Sequence, residues 1–286
     1  MRLISIAANS HHEAAVVDGD RVVRVGAIVG GHPTIEGLAA DLDTTNALRA
    51  RISTTTAWQP IQSVRPAPAL LRPSKFVAVG RNYPDHADEE GADRPAVPLL
   101  FAKFPSTIIR DGDEIRWDAG LTTQVDYEAE LAVVIGRRCR NVAEDEALDL
   151  VFGYTCLNDV SARDLQFADG QWTRGKSLDT FCPVGPVVVT ADEIADPQRL
   201  DIRCEVNGRT VQAANTSEML FPIARLLAFC SAAFTLEPGD LVATGTPAGV
   251  GVFRDPPTFL GNGDVVTVDI ESVGRLTNPC RESRAA

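Results

Sequence analysis

Residues 125–136 read VDYEAELAVVIG, and Asp126, Glu128 and Glu130 alternate within a stretch otherwise suited to a buried strand. Side chains of a strand point to alternate faces. Val125, Tyr127, Ala129, Leu131, Val133 and Ile135 therefore share one face. The other carries the three carboxylates and then turns apolar at Ala132, Val134 and Gly136. Same-face neighbours stand roughly 6.7 Å apart, and at an effective dielectric of ~20 each ionised pair repels by about 2.5 kcal/mol. A solvated strand face would tolerate this. Carboxylates that border a core need an offset, and a divalent cation with oxygen ligands supplies one. A third carboxylate, Asp159, closes another strand-like run in FGYTCLNDVSARDLQ. Alone it reads as a turn or cap residue. Together with Glu128 and Glu130 it completes a three-carboxylate Mg²⁺ or Mn²⁺ site that leaves positions for water and substrate. In the same segment Ser161 and Asp164 have the spacing of a capping box.

Of four histidines, His11, His12 and His32 lie near the N-terminus and only His86 lies further on. A His-rich zinc site is not expected. If a histidine serves as general base, His86 in GRNYPDHADEEG is the main-domain candidate, with Glu89 one helical turn away to orient it. A solvated helix surface fits the same residues. GQWTRGKS, residues 170–177, satisfies the phosphate-loop pattern, yet a polar segment precedes it and Pro183, Gly185 and Pro186 follow. The required strand and helix are missing, so a nucleotide loop is rejected. Lys176 remains as a cation near the acidic residues, with Arg81, Lys103 and Trp172 as further neighbours. GDLVATGTPAGVG, residues 239–251, is a glycine-rich turn after a strand; its N–H groups and Thr246 could face an anion, or simply turn the chain. No G-x-S-x-G elbow is present.

These residues need elements to position them. The 286 residues, 44% hydrophobic, suffice for one large domain, alone or with a small companion. Acidic residues outnumber basic ones 39 to 27, for a net charge of −12. That disfavours nonspecific nucleic-acid and anionic-membrane partners. Six scattered cysteines without a C-x-x-C pair read as small core residues in a reducing compartment. The N-terminus lacks a signal-peptide apolar core and no apolar run nears ~20 residues, so a cytoplasmic protein is expected.

Residues 1–68 are expected to form a small N-terminal unit, with a hairpin around Asp18-Gly19 and helical spacing of Ile35, Leu38, Leu42 and Leu48. Pro60, Pro66, Pro68 and Pro73 mark a stiff connection. Residues 72–286 follow as the main domain. KFVAVG, ELAVVIG, LVFGYTCLND, GPVVVTADEI, LDIRCEVNGRTV, DLVATGTP and GDVVTVDIESVG read as strands, with a hairpin at Asn207-Gly208. EDEALDLV and SEMLFPIARLLAFCSAAF read as helices. Without regular βαβ alternation the class is α+β, strand-rich, not a doubly wound sheet.

The segments VGRNYPDHADEEG, PLLFAKFPSTI, VDYEAELAVVIGRRCRNV, FGYTCLNDVSARDLQ, RGKSLDTFCPVGPVVVT, VNGRTVQAANTSEMLF, LEPGDLVATGTPAGVG and GDVVTVDIESVG lie in this order over residues 75–280. In this the chain resembles the fumarylacetoacetate hydrolase family, in its short bacterial and mitochondrial acylpyruvase-like branch. The resemblance implies a mixed β-sandwich roll with a small N-terminal α+β domain, a homodimer, and a Mg²⁺ or Mn²⁺ ion on Glu128, Glu130 and Asp159. It implies a catalytic pair His86 and Glu89 on a mobile lid, and substrate contacts from Arg163, Gln166, Lys176 and Thr246, Lys176 also serving catalysis. The implied reaction is hydrolysis of a C–C bond in a 2,4-dioxo acid of the acylpyruvate or fumarylpyruvate kind, giving pyruvate and a carboxylic acid. The alternative on the same scaffold is decarboxylation or isomerisation of oxaloacetate or a related oxo-diacid.

Overall fold

Apolar residues on both faces demand a strand covered on both sides, and Ala129–Ile135 is buried throughout. Its odd-numbered residues Leu131, Val133 and Ile135 enter one hydrophobic core, and its even-numbered Ala132 and Val134 enter a second. A computed structural model describes residues 1–8 and 11–283 of the chain. The strand pairs antiparallel with Val151–Asn158 on one side and Leu241–Ala243 on the other. Beyond these the large mixed sheet continues to Cys182–Thr190 in one direction and to Phe76–Gly80 and Leu99–Ala102 in the other. A five-stranded sheet of Arg209–Asn215, Asp201–Val206, Val265–Ile270, Gly274–Ser283 and Ile115–Asp118 lies across the first core. Ile202, Val266, Val268 and Leu276 from this sheet meet Leu131 and Val133 there. The result is the strand-rich α+β architecture expected from the sequence. Asn207 and Gly208 both adopt positive φ (52° and 77°), as the turn of a two-residue hairpin requires.

The N-terminal residues share the large sheet. Arg2–Ala8 pairs with His11–Asp18 on one side and with Cys182–Thr190 on the other. Leu3, Val16, Leu38 and Leu48 pack in the same core as Ala132 and Val134. The proline-bearing connection contributes a strand as well, Arg65–Ala67, paired with Arg2–Ala8. The helical stretch after residue 34 divides in two, Ile35–Ala40 and Leu42–Arg51. Asp41 breaks it by taking an extended conformation and accepting the Thr44 N–H at 3.0 Å, an N-cap for the second helix. Leu42 is consequently 40% exposed, while Ile35, Leu38 and Leu48 are buried.

Two helices begin or wind differently from expectation. Glu144–Leu150 is 3₁₀. The second apolar helix is Ile223–Ala233, with Pro222 as its N-cap, because proline cannot sit inside the helix. The residues before it form a separate 3₁₀ turn, Thr216–Glu218, closed by a capping box with Asn215. All six cysteines are free and buried. Among the described residues no helix is long and apolar enough to cross a membrane.

Candidate active site

Antiparallel register builds the acidic cluster. Ala129 lies opposite Asn158, the Asn158 side chain accepts the Glu128 N–H at 3.0 Å, and the Asp159 N–H donates to the Glu128 carbonyl at 2.9 Å. Two strand ends thereby bring together Glu128, Glu130 and Asp159. Their carboxylate oxygens lie within 4.8 Å of one another and all three residues are buried. Lys176 Nζ sits 2.7 Å from Glu128 and 2.9 Å from Asp159. Arg163 reaches Glu128 at 2.7 Å. Lys103, buried, donates to Asp159 at 2.6 Å and to the carbonyls of Phe181 (3.0 Å) and Lys176. It thus fixes the two segments that carry Asp159 and Lys176.

Glu130 differs from its neighbours. Its bond is to the Gly245 N–H at 2.7 Å, and among the described residues no ion pair reaches it. Burial, then the charges of Asp159 and Glu128, push its carboxyl well above the usual range. Glu128 goes the other way: burial raises it, but Lys176 and Arg163 outweigh burial and hold it low. Glu130 thus favours its protonated form until a cation takes that proton's place, since Lys176, Arg163 and Lys103 already pair with Glu128 and Asp159. Three buried hard oxygen donors fit a Mg²⁺- or Mn²⁺-class ion.

Asp126 shares the alternating face yet serves another purpose. One oxygen accepts the N–H groups of Tyr127 (2.9 Å) and Gly251 (2.8 Å), the other Val252 N–H (3.0 Å) and Arg163 Nε (2.9 Å). It anchors the glycine-rich turn and aims Arg163. A Cβ on Gly251 would lie 1.9 Å from the Thr258 carbonyl oxygen and 2.7 Å from Asp126. Gly251→Ala is expected to destabilise the protein by roughly 2–4 kcal/mol, an overpacking cost plus a loosened buried carboxylate; urea melts would show it. The turn's N–H groups face the protein's own carboxyl groups: Gly245 meets Glu130, Gly249 meets Glu89, and Gly251 meets Asp126. The capping box expected from Ser161 and Asp164 does not form. Ser161–Ala162 is a strand paired with Val125–Asp126, and Ser161 Oγ donates to the Asp159 carbonyl at 2.9 Å. Asp164 accepts instead from Thr122 Oγ1 at 2.6 Å.

His86 lies in the short helix Pro84–Glu89, opened by a proline at its first position. The i, i+3 spacing sets His86 Nδ1 2.7 Å from Glu89 Oε1, and the second Glu89 oxygen accepts Gly249 N–H at 2.8 Å. In this structure the helix is tied down further, by Asn82 bonded to both Phe221 and Thr244. One narrow pocket is lined by His86, Glu128, Arg163, Gln166, Lys176 and Thr246, so six of the residues singled out in the sequence converge. Arg81, Phe101, Trp172 and Phe253 also line it. Arg81 has φ +54°, unusual for a residue with a side chain, and is held there by a two-pronged bond to Glu90 (2.7 and 2.6 Å). The Thr246 hydroxyl is already engaged, donating to the Ala129 carbonyl and accepting from Gln212. Arg163 keeps a spare donor: its Nη2 is buried without a partner among the described residues. Lys176 ends a short helix, Thr173–Lys176, that follows another helix, Arg163–Asp169, so the phosphate-loop context is absent.

A mixed roll thus carries a buried carboxylate trio beside a His–Glu pair. Residues 75–281 match the C-terminal domain of fumarylacetoacetate (FAA) hydrolase. The chain belongs to that family. It is 49% identical over 212 residues to a mitochondrial oxaloacetate tautomerase of Xenopus laevis, across 73% of this chain and 66% of that one. Among solved structures it is similar to a 2-hydroxyhepta-2,4-diene-1,7-dioate isomerase from Mycobacterium marinum, with TM-score 0.79 and 38% identity over 99% of both chains. It is also similar to a maleylpyruvate hydrolase from Sphingobium sp. SYK-6, in complex with manganese(II) and pyruvate. There the TM-score is 0.82, with 32% identity over 99% of this chain and 100% of that one.

Proposed function

We propose that this chain is a divalent-metal-dependent isomerase that interconverts the keto and enol forms of a small 2-oxo diacid of the oxaloacetate kind. The carrying observation is that His86, bonded to Glu89, and Glu128 of the carboxylate cluster line one pocket. Moving a proton between carbon and oxygen needs an acid–base group, a site for the oxo oxygen, and nothing else. The reading that hydrolysis of a 2,4-dioxo acid is the main reaction is second to this one. The Xenopus relative, a tautomerase by name, and the Mycobacterium neighbour, an isomerase by name, support the order.

Glu128, Glu130 and Asp159 would hold the ion, which when bound supplies Lewis-acid polarisation of the 2-oxo group. Lys176 adds a fixed positive charge where negative charge develops on that oxygen. The spare Nη2 of Arg163, with Arg81 at the rim, offers donors to substrate carboxylates. With Nδ1–H directed to Glu89, the Nε2 of His86 has a lone pair free to take the proton from C3 and return it to the oxygen. Phe101, Trp172 and Phe253 supply the apolar part of the pocket's lining. A homodimer and a cytoplasmic location remain part of the proposal.

The test sets two assays side by side. Ultraviolet absorbance follows enol-to-keto conversion of oxaloacetate, and pyruvate release follows cleavage of an acylpyruvate panel, each with Mg²⁺, Mn²⁺ or chelator. Metal-dependent acceleration of the first well beyond the second is the expected result. Cleavage without tautomerisation would give the reaction to the hydrolase reading, which the Sphingobium neighbour favours. Neither activity would overturn both.

A further inference from the structure

Two of the four histidines meet in the N-terminal unit, away from the acidic pocket. His11 and Glu13 stand two apart on the strand His11–Asp18, so they share a face. His32 arrives from the segment after the short helix Gly26–Val29, where Gly30 and Gly31 both take positive φ (86° and 68°) and fold the chain back. A backbone bond from Ala14 N–H to the Pro33 carbonyl, 2.7 Å, holds that segment against the strand. The imidazoles of His11 and His32 lie 4.1 Å apart, centroid to centroid, and His32 Nδ1 is 3.4 Å from Glu13 Oε2. One nitrogen or oxygen from each of the three falls within 4.8 Å of the others.

We propose that His11, Glu13 and His32 form a second metal site that takes a borderline divalent ion of the zinc class. Three features support it. The Nε2 of His11 is buried and has no hydrogen-bond partner among the described residues, although its neighbours are an imidazole and a carboxylate. Glu13 is 4% exposed, with Arg24 on Oε1, which orients Oε2 towards His32. The donor set of two imidazoles and a carboxylate suits Zn²⁺, Ni²⁺ or Cu²⁺ and not Mg²⁺, unlike the all-oxygen set of Glu128, Glu130 and Asp159. Ligands 2.0–2.2 Å from a tetrahedral ion stand about 3.3 Å apart, so the three must draw in. The His32 side chain, 65% exposed, has room to do so. An ion there would tie the hairpin to the loop before the second helix.

Isothermal titration of the intact protein with Zn²⁺ tests this, in saturating Mg²⁺ to occupy the acidic pocket. One equivalent should bind and raise the melting temperature. His32→Ala and His11→Gln should each weaken that binding by roughly tenfold or more, while His12→Ala, on the opposite face of the strand, should leave it unchanged. Melting curves of the metal-free variants confirm that they fold, and His32, being exposed, is the safer of the two. Absence of Zn²⁺ binding would overturn the site, as would binding that survives His32→Ala or is lost in His12→Ala.

Discussion

Glu130→Gln is expected to abolish metal-dependent turnover while leaving the metal-free protein at least as stable as wild type at pH 8. Glutamine keeps an oxygen for the Gly245 N–H, so the side chain's bond to that amide survives. What disappears is a carboxylate whose pKa burial, Asp159 and Glu128 raise well above 4.5. A group raised in the folded state contributes stability that is complete below its unfolded pKa and lost as pH rises through the folded one. Metal-free wild type should therefore weaken as pH climbs above about 4.5, and the variant should be spared that loss. A cation reverses the situation. It requires the ionised carboxylate and displaces its proton, so Mg²⁺ should stabilise wild type more at pH 8 than at pH 5.5. At a hundred times its Kd the ion would add about 2.7 kcal/mol by mass action. Melting curves against pH, with and without Mg²⁺, separate these cases. Equal Mg²⁺ stabilisation of wild type and Glu130→Gln would remove Glu130 from the ligand set.

His86→Ala should lower turnover by roughly 10²–10⁴, the range for a positioned acid–base group. Substrate affinity should change far less, because Arg163 and Lys176 belong to elements that His86 does not hold. Glu89→Gln should show a smaller loss: its amide can still meet either His86 or the Gly249 N–H, but cannot stabilise the imidazolium as a carboxylate does. The split between kcat and KM is the informative readout. A rise in KM alone would make the pair a binding element, and wild-type kcat in His86→Ala would send the search for the base elsewhere in the pocket.

Much of this arrangement was legible in the chain. Alternation from Val125 to Ile135 identified which residues enter the first core, because strand periodicity is local and depends on no partner. The three clustered carboxylates and the His–Glu pair could be picked out because their spacing is short or their residue type scarce. Lys103 could not be ranked. It is an ordinary lysine in sequence, and its role comes from carbonyls of residues 176 and 181 that only the fold brings near. Asp126 sat on the correct face but was pulled to Arg163 and the 251–252 amides, a competition that alternation does not encode. Asp41 shows the same limit in a helix. Side-chain capping overrode apolar spacing, and one expected helix became two.

The pairing of Arg2–Ala8 with Cys182–Thr190 bears on how this protein avoids sticking to itself. Were residues 1–68 cut away, the Val188–Val189 segment would lose its backbone partners on one side, keeping those of Val151–Asn158, and Ala132, Val134 and Val184 would lose part of their apolar cover. An open, flat, valine-rich edge is a template for recruiting other chains. The hairpin that follows moves the sheet's boundary outward to the two-residue strand Gln59–Pro60, where a proline can offer no amide to a newcomer. The N-terminal unit thus works as a hem: it finishes the fabric of the large sheet at a place where nothing further can be sewn on.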